Sequence, residues 1–180
     1  MAAPGAGVPT YEYLQLSPGR HIRVLDLHPA LFFRAPIQCS IREISLEERP
    51  VKTQSYDALS YVWGSPRGDQ PILCNGATVL VTPNCLAALR YLRFKWQVRT
   101  LWVDSICINQ ESEREKSHQV QLMGDVYKLA NRVLIWLGHG SSQLSGILRR
   151  FKFLGMYLAF TEYCLTAFPL LGRLLARWNS

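Results

Sequence analysis

An α/β fold with a mainly parallel central sheet and flanking helices is what this sequence predicts, and two observations carry it. Apolar runs of strand length stop abruptly at polar or glycine residues, and helical periodicity fills the intervals between them. Residues 101–110 show the junction most sharply. Leu-Trp-Val is bulky and apolar without alternation, as in a strand covered on both faces, and then gives way to Asp104, Ser105, Asn109 and Gln110. Residues 56–63 repeat the design before Gly64, and residues 132–137 before Gly138, so all three read as interior strands. Strands separated by helices join in parallel through right-handed crossovers, and open sheets of this kind bind ligands beyond their carboxyl ends. Trp63, Gly64 and Ser65, residues 104–110, and Gly138 with His139 are expected on that rim.

The other elements follow in chain order. Residues 1–19 begin with Ala, Gly and Pro and are expected to be a flexible start. Residues 22–27 and 37–44 carry apolar alternation and are expected as strands at one edge of the sheet, punctuated by Pro29, Pro36 and Pro50. Residues 72–74 and 78–81 flank Asn75-Gly76, a pair that supplies the positive φ values of a two-residue turn, so an edge hairpin is predicted there. Thr82-Pro83 then starts a helix, because the threonine oxygen caps free amides and proline at the first helical position sacrifices no hydrogen bond. Leu86, Leu89 and Leu92 give that helix an apolar stripe reaching about Phe94. A longer helix is predicted over residues 112–130, where Val120, Met123, Tyr127 and Ala130 recur at helical spacing and the acids of residues 111–115 meet the positive end of the helix dipole.

The predicted domain therefore covers residues 20–140, and residues 141–180 form an apolar, basic tail expected to be helical. Within it, residues 153–171 approach the length of a membrane span. Glu162 and Pro169 interrupt that stretch, which favours packing on the domain or on a partner segment and leaves membrane contact as the alternative.

Composition narrows the function classes. The apolar fraction of 48% and charged fraction of 18% are those of a globular chain with one full core. Net charge is +7, of which residues 144–180 contribute +4, so the basic excess sits largely in the tail. Aromatic and basic residues do not interleave as in RNA-binding modules, and no nucleic-acid partner is expected. The five cysteines are widely spaced among apolar neighbours, which suits reduced thiols in a reducing compartment, and no metal site is expected from their spacing or from the scattered histidines. The N-terminus lacks an apolar core before Tyr11, so an intracellular, cytoplasmic protein is expected.

Several of these segments together resemble one family. Residues 58–64 (Ala-Leu-Ser-Tyr-Val-Trp-Gly), residues 101–110, Glu115 with Gln119-Val120, Met123 with Tyr127 and Ala130, and residues 133–138 occur in the order and spacing of the fungal heterokaryon incompatibility (HET) domain. The likeness runs from about Ile22 to Gly138 and does not extend to the tail. It implies a module of nonself recognition and programmed cell death in filamentous fungi, acting by self-association or by docking onto a protein partner. More distantly, residues 56–61 resemble the first strand of TIR domains, which implies a TIR-like, flavodoxin-like sheet and a second mechanism, cleavage of NAD as a substrate. No cofactor is otherwise implied.

Under the NAD reading, Glu115 is the catalytic candidate, a carboxylate able to stabilise an oxocarbenium-like charge. Asp104 would orient a ribose hydroxyl, Asn109 and Gln110 would hydrogen-bond ligand edges, and Trp63, beside Gly64, would offer a stacking face. Each residue also has a structural role open to it. Glu115 suits the helix dipole, Asp104 and Asn109 suit loop caps, and Trp63, Trp102 and Trp136 suit the core. The sequence departs from the family pattern at His139, where many members carry an acid. It departs from the TIR pattern in having Glu162 as the only acid after the third parallel strand.

Overall fold

The computed structural model describes residues 7–47, 55–64 and 68–138, all within the unit Met1–Gly138. The predicted tail, including residues 153–171, lies outside the described residues, as do Ser65 and His139. Among the described residues seven strands form one sheet in the order β5-β4-β2-β1-β6-β3-β7, with three helices between strands. The strands are β1 (His21–Leu27), β2 (Gln38–Ser45), β3 (Asp57–Tyr61), β4 (Gln70–Cys74), β5 (Ala77–Val81), β6 (Arg99–Val103) and β7 (Arg132–Trp136). The helices are α1 (Pro83–Leu92), α2 (Asp104–Cys107) and α3 (Glu113–Leu129).

The fold is α/β as expected, but the sheet is mixed rather than mainly parallel. β2–β4, β3–β6 and β3–β7 pair in parallel, whereas β1–β2, β1–β6 and β4–β5 are antiparallel. The expected edge position of the first two strands is also corrected, since β1 lies at the centre of the sheet with β2 on one side and β6 on the other. Its side chains explain the position. Ile22, Val24, Leu25 and Leu27 are all buried, and the adjacent Val24-Leu25 pair places apolar bulk on both faces. Residues 132–137 differ in the opposite sense. Among the described residues β7 pairs only with β3, and Ile135 and Leu137 are exposed, so this strand is an outer one.

The local signals produce the elements they specify. Asn75 and Gly76 both have positive φ between β4 and β5, closing the hairpin at the outer side of the sheet. Thr82 caps α1 by accepting from the Cys85 amide, with Pro83 at the first helical position. Ser112 caps α3 in the same way, accepting from the Glu115 amide. In β6, Trp102 faces α3, its ring edge-on to Tyr127 at 5.5 Å. The opposite parity reaches α1: Trp136 packs on Tyr91 at 5.4 Å, and Trp136 shares a face with Tyr61 through the β3–β7 register. The two helices therefore cover opposite faces, and the core between them includes fully buried Leu25, Leu59, Leu101, Trp102 and Val103.

Within the start expected to be flexible, residues 9–14 are tied to this unit. Thr78 donates from its amide to the Pro9 carbonyl at 2.7 Å, the Tyr11 amide donates to the Thr78 carbonyl at 2.9 Å, and the Tyr13 hydroxyl donates to the Ile106 carbonyl at 2.9 Å. Tyr11 and Tyr13 also pack edge to face at 5.0 Å. Among the described residues no helix is long and apolar enough to cross a membrane.

Candidate functional site

β6, β3 and β7 run parallel and side by side, so their carboxyl ends open on one rim, as the sequence reading anticipated for a parallel set. Register brings Leu59 beside Val103 and Tyr61 beside Trp136. The residues that follow each strand, Asp104, residues 62–64, and Leu137 with Gly138, consequently gather there.

Asp104 is the centre of the rim. The Trp63 indole Nε1 donates to both of its carboxylate oxygens at 3.1 Å, and the Ser105 amide donates to Oδ1 at 2.7 Å. Among the described residues it forms no ion pair. The carboxyl keeps some exposure, yet enough protein surrounds it that desolvation pushes its pKa up to about 6 against the pull of the Ser105 and Trp63 donors. Trp63 thus meets Asp104 as a hydrogen-bond donor, a use of its ring that the stacking expectation did not include.

Around Asp104 the neighbours are neutral. The Tyr61 hydroxyl lies 2.6 Å from Ser105 Oγ, which in turn lies 4.0 Å from Cys85 Sγ. Burial raises the Tyr61 phenol and pushes the Cys85 thiol up to about 11, so both stay protonated at neutral pH. A thiol in that state is a poor nucleophile, and among the described residues no histidine hydrogen-bonds into the cluster to activate it. Asp104 is the group of this rim whose proton moves near neutrality, which suits proton transfer or binding of a polar ligand edge.

Gln110 supports the rim from behind, donating from Nε2 to the Asp104 carbonyl at 3.0 Å. Asn109 closes a local turn, its Oδ1 accepting from the Glu111 amide at 3.1 Å. Gly64 holds φ of +78° with open space where a side chain would stand. Asn84, on the first turn of α1, locks two strand ends together. It donates to the Val62 carbonyl at 2.6 Å and accepts from Trp136 Nε1 at 2.9 Å. The sequence placed Ser105 on the rim without giving it a role, marked Cys85 as a reduced thiol and nothing more, and did not single out Asn84. An asparagine directly after a Thr-Pro cap, where helix propensity disfavours it, is the one signal that pointed to Asn84.

Glu115 belongs to a second set, joined to the first through α2 and the turn that follows. Its Oε1 and Oε2 both accept from the Arg23 guanidinium, the latter at 3.1 Å, and Oε1 also accepts from the Asn109 amide at 2.7 Å. Both side chains are largely withdrawn from water, at 4% exposure for Arg23 and 14% for Glu115. Arg23 further donates to the carbonyls of Cys107 and Leu14, and lies over the Tyr13 ring at 5.1 Å. Ser112-Glu113-Arg114-Glu115 has the sequence of a capping box, but here the glutamate reaches Arg23 and the Asn109 amide, while the Ser112 amide donates to the Asn109 carbonyl at 3.3 Å. The structure thus brings Trp63, Asp104 and Gln110 together at the rim, and Asn109 with Glu115 around Arg23.

The four described cysteines, Cys39, Cys74, Cys85 and Cys107, are buried and free. Among the described residues no three His, Cys, Asp or Glu side chains converge to hold a metal ion.

An α/β unit whose sequence motifs converge on a strand-end rim defines a domain class, and comparison assigns it. Residues 56–156 match the family described as heterokaryon incompatibility protein (HET), more than half of the chain, and the chain belongs to this family. It is also similar to "Heterokaryon incompatibility protein 6, OR allele" of Neurospora crassa, with 40% identity over 143 residues. That alignment takes in 72% of this chain and 20% of the relative, so the chain spans about a fifth of the length of the curated relative it matches. No solved structure matches. The family match begins at the start of β3, leaving β1 and β2 outside it although both lie in the middle of the sheet.

Proposed function

We propose that this chain is an incompatibility-type module of fungal nonself recognition that promotes cell death by self-association or by docking onto a protein partner. The family match over residues 56–156 is the observation that carries this reading, and the name of the Neurospora crassa relative agrees with it. The surface beside the rim supports a docking role. Val62, Ile135 and Leu137 are exposed apolar side chains at the ends of β3 and β7. Inducible expression in a filamentous fungus tests the reading. Growth arrest with wild type, weakened by Val62→Ser with Ile135→Ser, supports it, and normal growth at confirmed protein levels contradicts it.

A second reading, a TIR-like NAD glycohydrolase in the cytoplasm, draws on the rim itself. Three adjacent parallel strands present Asp104, with its carboxyl pushed up to about 6, beside the Trp63 ring. In this reading Trp63, Gly64, Asp104, Asn109 and Gln110 line the NAD site, and Glu115 would have to exchange its Arg23 partner for the substrate to act as the catalytic carboxylate. Incubation of the purified chain with NAD separates the two mechanisms. Nicotinamide release that is lost in Asp104→Asn and Glu115→Gln supports the enzyme, and no release at high protein concentration excludes it.

A further inference from the structure

At the opposite end of the sheet from the rim, two loops come together. Residues 28–36 follow β1, residues 93–98 precede β6, and the antiparallel pairing of Leu27 with Arg99 sets them side by side. The Ala30 amide donates to the Phe94 carbonyl at 3.2 Å, joining the loops directly. Their tips are apolar and face water. Phe32 is 76% exposed and Trp96 80%, and Leu31, Phe33 and Val98 are more than half exposed beside them. Single exposed apolar residues are ordinary on a protein surface, but five large ones on two adjoining loops need a partner.

Charge and backbone chemistry identify that partner. Arg34 and Lys95 are exposed at the same tips, and neither loop contains Asp or Glu. The acids of the adjoining strands are already bound: Asp26 accepts from Arg42 and Thr100, and Asp57 accepts from Arg99 and Arg132. The first loop also has several of its backbone carbonyls satisfied. A turn closes with the Ala35 amide on the Phe32 carbonyl at 3.1 Å. The Arg93 guanidinium then donates to four carbonyls, those of Phe32, Phe33, Ala35 and Pro36, at 2.9 to 3.1 Å. Backbone carbonyls without partners are what make a loop costly to place at an apolar boundary, and here Arg93 supplies the partners in advance. Aromatic and aliphatic tips settle at the level of lipid headgroups, and flanking cations are drawn to anionic ones.

We infer that the loops of residues 28–36 and 93–98 form a membrane-surface docking site for anionic phospholipid, in which Leu31, Phe32, Phe33 and Trp96 enter the interfacial layer while Arg34 and Lys95 contact headgroups. This is surface attachment, distinct from spanning and independent of the tail. It is tested by co-sedimentation of the full chain with vesicles of equal parts phosphatidylcholine and phosphatidylserine, and with phosphatidylcholine alone. Wild type is expected to pellet with the anionic vesicles and much less with the neutral ones. R34Q/K95Q should weaken binding roughly 25-fold, since each surface cation contributes about fivefold. F32S/F33S and W96S should each weaken it about tenfold or more, with thermal melts close to wild type because these side chains are exposed. Wild type left in the supernatant of anionic vesicles overturns the proposal. So does equal pelleting of the loop variants, which would move the contact to another segment such as residues 153–171. Self-association lost in the same variants without vesicle binding would assign the patch to a second copy of the chain, and overturn it as well.

Discussion

The two ends of β3 handle a carboxylate in opposite ways. At the amino end Asp57 is buried and clasped by two guanidinium groups, with Arg99 donating at 2.8 Å and 3.2 Å and Arg132 at 3.2 Å and 3.3 Å. Beside the carboxyl end, Asp104, which follows β6, is met among the described residues by an amide and an indole, and desolvation pushes its pKa up to about 6. A buried acid with two cations is a fastener: it pins β6, β3 and β7 in register and has no capacity left for a ligand. A desolvated acid with neutral donors takes up its proton closer to neutral pH than an ordinary carboxyl and has no counter-ion, which is the condition of a group available to a ligand. Glu115 falls on the fastener side, since Arg23 occupies both of its oxygens.

This contrast makes graded predictions. Asp57→Ala leaves Arg99 buried without its counter-ion and should cost about 4 kcal/mol in urea unfolding. A loss under about 1 kcal/mol would break the contrast at its structural end. Glu115→Ala strands Arg23 in the same way, with a second fastening contact at the Asn109 amide also lost, and should cost about 3 kcal/mol by the same measurement.

Asp104 should behave with the opposite sign. Its folded pKa is raised, from 3.8 to about 6, so the folded state binds the proton more tightly than the unfolded chain does. The stability this contributes is fully present below about pH 4 and is lost as pH rises through about 6, amounting to about 3 kcal/mol. Unfolding of Asp104→Asn compared with wild type across that window should therefore show the slope in wild type and not in the variant. The smallest effect is expected from Trp63→Phe, which removes the indole donor to the carboxylate. It should cost about 1 kcal/mol and move the Asp104 titration further upward, because a donor that favours the ionised form is gone.

The parts of this fold that were legible in the sequence are those set by neighbours in the chain. Asn75-Gly76 needs only its own backbone to make a turn, Thr82-Pro83 and Ser112 need only the next helical turn to cap it, and both helices lie where these signals put them. Strand order was a different problem. Placing β1 in the centre depends on β6 pairing with it from about 75 residues away, and alternation within residues 22–27 does not encode that partner. The adjacent Val24-Leu25 pair was the available clue to a strand buried on both faces. α2 escaped because four residues are too few to show a helical period.

The candidate site divides along the same line. Asp104 stood out because an acid ended an apolar strand, and the rim it marks is formed by three parallel strands. Its pairing with Trp63 spans 41 residues, and that of Glu115 with Arg23 spans 92. Nothing within residues 22–27 marks Arg23 for burial, which depends on Glu115 and the Cys107 carbonyl brought beside it by the fold.

The difference between a fastening acid and an available one rests on the proton affinity of Asp104. A carbon-13 NMR titration of the aspartate side-chain carboxyls, with Asp104→Asn to assign the resonance, measures it directly. A midpoint near 6 is expected for Asp104, and a midpoint at or below the ordinary value of 3.8 would contradict that difference.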